Sequence, residues 1–247
     1  MKSENIGVPT YTADEIELKA QAVLKYCDKL RYNLQPISLA IIMKKLLEQK
    51  LVFILDEDLG RADNQKIRAK FLAGIPNTIY LDKKIDPASI EGRLTIAHEI
   101  GHYVLHRNMR TSGGLISEIT FNKSYLDIEA LTFSQDKLVR KTAEDWMEWH
   151  AFRFMISLLL PEQLFRSIVI TLLRKDDSPN NFIFVDSQPC NKMAMHKMYE
   201  KLTKIFSVPK WCLEYRLKEL SLIKYGRSYK PYKNPKDAIN RRSEEHI

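Results

Sequence analysis

The chain has 247 residues, 45% of them hydrophobic and 28% charged, with a formal net charge of +8 and a pI near 9.2. That length and balance suffices for one large domain or two small ones and excludes a disordered or fibrous protein. The first ten residues show no apolar signal region, and the longest apolar run, Phe154 to Pro161, is too short to cross a bilayer, so the expectation is a cytoplasmic protein with no membrane contact. The three cysteines, Cys27, Cys190 and Cys212, are far apart, which fits reduced thiols rather than a disulfide framework.

A helix is expected over 13–31, starting near Thr12 or Asp14, with Leu18, Ala22, Leu24 and Leu30 among its apolar positions. Pro36 opens a second helix that runs through Leu47. Leu51-Val-Phe-Ile-Leu55 is a β-rich run, and Lys66 to Ala73 alternates as a half-buried strand does. Gly74-Ile-Pro-Asn77 reads as a turn. Thr78-Ile-Tyr-Leu81 continues as a strand, and the wider stretch Asn77 to Lys83 is expected to be the edge strand that pairs with an extended substrate backbone. Pro87-Ala-Ser89 leads into a helix. Residues 109–135 carry no clear pattern. A helix follows over 142–160, stopped by Pro161, then a shorter one to Arg174. Phe182 to Val185 is a short strand, and two helices close the pattern, Met193 to Phe206 and Pro209 to Leu220.

The helix after Ser89 carries the chemistry. It reads Leu94-Thr-Ile-Ala-His-Glu-Ile-Gly-His-Tyr-Val-Leu-His106. Histidines four apart lie on one helical face about 6 Å apart along the axis. His98 and His102 can therefore bind one zinc ion, and Glu99 can accept the proton of an attacking water. Leu94, Ala97, Gly101, Val104 and Leu105 form the adjoining apolar stripe. Glycine inside a helix costs about 1 kcal/mol relative to alanine, so Gly101 points to a close neighbour. A catalytic zinc needs a third ligand. The residues alone leave Glu118, Asp127, Glu129, Asp136, Glu144, Asp145, Glu148 and His150 open. His106 lies one further turn beyond His102, where it could touch the site, but the favoured reading is that it closes the helix end on its carbonyls. Of two readings for His150, a donor to a reaction intermediate or a surface residue, the surface is favoured, and Tyr80, Tyr103 and Tyr125 read as half-buried packing rather than oxyanion donors.

Two segments resemble the ImmA/IrrE family of zinc metallopeptidases. Thr95 to His106 is similar to the family's metal helix. Glu148-Trp-His-Ala-Phe-Arg-Phe-Met-Ile-Ser-Leu-Leu-Leu-Pro161 is similar to its second motif, matching at Glu148, Ala151, Phe154, Leu158, Leu159 and Pro161. His150, Phe152 and Met155 depart from that pattern. The resemblance implies zinc ligands at His98, His102 and Glu148 and a general base at Glu99. Leu202 to Leu220 is similar to a helix-turn-helix stretch often found after the family's protease core. Its second helix mixes Lys210, Arg216 and Lys218 with Glu214 and Glu219, which favours packing or a protein partner over base readout.

The expected fold is α+β: a zincin-like metallopeptidase core, with a small twisted sheet and a metal-binding helix, and additional helix-turn-helix-like C-terminal helices. The expected division is a core over 1–175, a helical region over 176–223 and a basic tail over 224–247 offering weak nucleic-acid contact. The resemblance implies a zinc-dependent endopeptidase whose protein substrate is a helix-turn-helix transcriptional repressor, cleaved to release its target genes. Two alternatives stand beside it. One is a DNA-binding or repressor-sequestering protein, disfavoured by the intact Glu99. The other is a non-peptidase zinc hydrolase such as a deformylase, whose cysteine ligand motif is not matched around any of the three cysteines.

Overall fold

The computed structural model describes residues 9–27, 36–62, 65–73, 76–111, 114–115, 142–176, 178 and 180–226. They group into two compact units, the first running through Leu159 and the second taking up from Leu160. Among the described residues, seven helices and short strands make a mixed α+β architecture, as the sequence pattern implies. No single helix among the described residues is long and apolar enough to cross a membrane.

The first unit begins with α1 (Ala13–Tyr26), capped by a reciprocal pair in which Glu15 N–H donates to Thr12 Oγ1 and Thr12 N–H donates to Glu15. Its buried stripe is Ile16, Glu17, Ala20 and Leu24. This corrects the expected face: Leu18 is 64% exposed and Ala22 is exposed, while Leu30 lies outside the described residues. The pattern misleads because a carboxylate, Glu17, occupies the inner stripe. It is 3.5 Å from the buried Arg153 guanidinium. Helix α2 (Leu39–Leu47) then leads into β1 (Leu51–Glu57).

After the β2–β3 hairpin (Arg61–Ala62, Gln65–Lys66) come β4 (Ala69–Leu72) and β5 (Asn77–Asp82). The three-stranded sheet has the order β1-β5-β4, with β5 parallel to β1 and antiparallel to β4. The expectation that Asn77 to Lys83 forms the edge is therefore wrong. The stretch is central, with Ile79 and Leu81 fully buried. Asp82 does not guard an open edge either. Its carboxylate is buried and accepts N–H groups from Leu59 and Lys84. Long-range pairing on both sides overrides the local cues of charge and position.

Helix α3 (Ile90–His106) starts at Ser89, whose hydroxyl accepts Gly92 N–H at 3.0 Å and donates to Asp86 O at 2.6 Å. After the short β6 and β7 (Arg110–Thr111, Gly114–Leu115), α4 (Ala143–Leu159) starts with reciprocal bonds between Thr142 and Asp145. Both α3 and α4 are buried around nearly their whole circumference, as suits helices at the centre of a core. They pack closely against each other at Gly101. A Cβ there would stand 3.0 Å from both Cα and O of Ala151 and 3.2 Å from Phe154 Cβ. Phe152 and Met155, which depart from the family pattern, are fully buried in this core.

The second unit contains α5 (Glu162–Lys175), β8 (Ile183–Val185), α6 (Pro189–Phe206), α7 (Lys210–Glu219) and β9 (Ile223–Tyr225). Phe165 and Phe206 meet at 5.3 Å in its core, and Ser207, with φ of 52°, ends α6 in the left-handed region. Strand β9 pairs parallel with β8 and is absent from the sequence reading. Residues 227–247 of the basic stretch lie outside the described residues.

Candidate metal centre

Helical periodicity brings His98 and His102 to the same side of α3, and α4 presents Glu148 to them. The two Nε2 atoms are 3.0 Å apart. Glu148 Oε2 is 3.2 Å from His98 Nε2, and Glu148 Oε1 is 3.8 Å from His102 Nε2. One ligand atom from each of the three lies within 4.8 Å of the others. A tetrahedral zinc about 2.0–2.1 Å from each donor would separate them by roughly 3.3 Å. The donor set therefore fits a single ion of that size.

The hydrogen-bond inventory makes the same point. Glu148 is fully buried, yet neither of its oxygens makes a hydrogen bond among the described residues. A buried carboxylate so placed is costly, and a cation between it and the imidazoles removes the cost. Glu99 is also buried and its Oε2 makes no hydrogen bond among the described residues.

The protein groups alone set unusual protonation. Burial pushes Glu99 up to about 8; the His98 cation opposes this and the Glu148 charge adds to it. Burial alone would depress His98, but the adjoining Glu148 carboxylate, and then Glu99, leave it raised. Burial, then the other imidazoles around it, hold His102 well below the ordinary range.

Of the other candidate ligands, Glu118, Asp127, Glu129 and Asp136 lie outside the described residues. Glu144 is exposed, and Asp145 caps α4. Two expectations are overturned. His150 is 1% exposed, not a surface residue, and its ring packs 5.4 Å from Tyr11 and 5.5 Å from Trp149. Two residues along an isolated helix would point it away from Glu148, but from Met147 onward α4 is buried around nearly its whole circumference, so both faces are interior. His106, fully buried, does not merely close a helix end: its Nδ1 is 3.1 Å from His102 Nδ1 and its Nε2 is 3.5 Å from His150 Nδ1. Burial and the neighbouring imidazoles depress it to about 3.

Tyr103 is buried and packs edge-on against Phe71 at 6.0 Å, and Tyr80 stacks under Lys70; Tyr125 lies outside the described residues. The buried Arg153, which the sequence reading passes over, hydrogen-bonds Ser157 and pairs with Glu17, tying α4 to α1. In the second unit, Arg216 is fully buried, with Nε donating to Leu160 O and Nη1 on Glu219. Lys218 pairs with Glu214 at 2.7 Å. Lys210 lies over the Tyr199 ring at 4.9 Å, so all three cations on α7 are engaged within their own unit.

Comparison with curated proteins and with solved structures gives no match. The family model of the IrrE N-terminal-like domain matches residues 48–218, which takes in the sheet, both helices that meet at the metal centre and most of the second unit. Over that span, more than half of its length, the chain belongs to the ImmA/IrrE family of peptidases.

Proposed function

We propose that the chain is a zinc-dependent endopeptidase, with His98, His102 and Glu148 as the metal ligands and Glu99 as the general base. The observation that carries this reading is the buried His98–His102–Glu148 cluster, with a carboxylate, Glu99, immediately beside it. Zinc, when bound, supplies Lewis acidity that polarises a carbonyl and makes water more acidic. The protein's part is proton transfer. Glu99 takes a proton from the attacking water, and the same carboxyl returns it to the amine nitrogen as the C–N bond breaks. Burial raises the affinity of Glu99 for that proton, which suits a group that must accept it and give it back.

The substrate in this reading is a helix-turn-helix transcriptional repressor in the same cytoplasm, cut to release its target genes. Family membership supports the peptidase class, and the resemblance of both motifs supports the substrate class. The test is incubation of the zinc-loaded protein with the helix-turn-helix protein encoded nearest to it, followed by mass spectrometry. A single discrete cut that Glu99→Gln abolishes is expected. An uncut repressor that nevertheless binds the protein equally well with and without chelator would instead establish the sequestering alternative.

A further inference from the structure

Four of the chain's six histidines, His98, His102, His106 and His150, gather in this one region, and the metal centre accounts for two. The remaining two extend from it in a line. His102 turns its Nε2 toward His98 and Glu148, and its Nδ1 toward His106 Nδ1 at 3.1 Å. His106 in turn places its Nε2 3.5 Å from His150 Nδ1. These contacts join α3 to α4 one helical turn beyond the ligands.

The chemistry of imidazole fixes the direction of the first contact. A neutral ring carries one N–H and one lone pair. If His102 gives its Nε2 lone pair to a metal, its proton must sit on Nδ1. Nδ1 is then a donor, and His106 Nδ1 must be the acceptor. The proton of His106 consequently sits on Nε2, where it faces His150 Nδ1. The opposite direction would put the His102 proton on Nε2, where it would block the metal.

We propose that His106 is a positioning residue for the metal centre: it accepts the His102 Nδ1–H and so holds that ring with Nε2 presented to the ion, and His150 orients His106 from α4. This deepens the zinc reading and rests on it. A metal-bound histidine ordinarily gives its second N–H to a carboxylate, a carbonyl or water, and losing such a partner costs about 10–100-fold in metal affinity. Here a second imidazole fills the position.

The test compares zinc affinity, by competition with a chromophoric chelator, in wild-type protein, His106→Leu and His106→Asn. Asparagine keeps an acceptor oxygen where Nδ1 stood, whereas leucine fills the space and accepts nothing. The expected result is a loss of about 10–100-fold for leucine and recovery to within about threefold of wild type for asparagine. Leucine binding as tightly as wild type, or asparagine as weakly as leucine, overturns the inference while leaving the zinc reading intact. Wild-type protein that takes up no zinc overturns both. Should the leucine variant fail to fold by circular dichroism, nitrogen-15 spectra of zinc-loaded wild type decide the matter. A proton on His102 Nδ1 is expected, and one on Nε2 with the metal on Nδ1 would overturn the proposal.

Discussion

Gly101→Ala should loosen the metal centre without touching a ligand. In an exposed helix the change would stabilise by about 1 kcal/mol through helix propensity. Here the new methyl would stand 3.0 Å from Ala151 Cα and O and 3.2 Å from Phe154 Cβ. Two of those atoms are backbone and cannot swing aside. Carbon atoms settle at about 3.5–4.0 Å, so α3 and α4 must part by about half an ångström. Overpacking of that kind costs about 1–3 kcal/mol, which cancels the propensity gain and leaves a net loss of up to roughly 2 kcal/mol. Ala151 lies on the next turn of α4 from Glu148, so the same displacement draws the carboxylate away from His98 and His102. Metal–ligand distances tolerate only about 0.2 Å, and zinc affinity should fall together with stability. Urea unfolding of chelator-treated protein measures the first effect, and chelator competition measures the second. An alanine variant as stable as wild type, with the same zinc affinity, would refute the reasoning that glycine is required by the approach of α4.

Elemental analysis of protein purified without added metal should find one zinc per chain; stoichiometric iron would contradict the assignment. Glu99→Gln should retain zinc while cleavage falls by about 10²–10⁴-fold, since the amide cannot accept the water proton; His98→Ala, His102→Ala and Glu148→Ala should lose both metal and cleavage. The metal-stripped protein offers a test by pH. Glu99 has its folded-state pKa raised from 4.5 to about 8, so the folded state holds a proton that the unfolded chain releases. The stability tied to that proton is complete below about pH 4.5 and is lost as pH rises through about 8. His102 and His106 are depressed and act in the opposite sense, losing stability as pH falls, so the measurement is the difference between wild type and Glu99→Gln. Wild type should lose stability relative to the variant between pH 5 and 8, and a difference independent of pH would count against a buried, proton-holding Glu99.

The two helices that build the site were legible because each is long and carries its own local signal, the histidine spacing and glycine in α3 and the proline stop in α4, whereas Glu148 stood out from the other candidate ligands only through the family resemblance. Strand existence was equally local, and Leu51–Glu57, Ala69–Leu72 and Asn77–Asp82 fall where the β-rich runs lie. Which strand is central was not legible, because the β1–β5 pairing joins segments separated by the β2–β3 hairpin and β4, and Asp82 gives no sign of being buried. The stripe of α1 was misjudged for a related reason. Glu17 is tolerated inside because Arg153, far along the chain, meets it, together with Gln21 on the next turn. His150 shows the same limit, since a helix enclosed on every side breaks the link between angular position and exposure.

The turn before α3 acts as an index mark for the helix. The Ser89 cap and the carbonyl of Asp86 hold Gly92 so closely that a Cβ there would overlap Asp86 O, which fixes the rotational phase of α3 about its own axis at its first turn. From that mark the imidazoles are aimed by counting alone. One residue inserted between Gly92 and His98 would rotate both histidines together by about 100°, away from Glu148, while their mutual spacing stayed intact. The motif would still read perfectly in such a chain, and the carboxylate on α4 would have nothing to share an ion with. In this fold the metal site is specified as much by the distance from Gly92 to His98 as by the identity of the ligands.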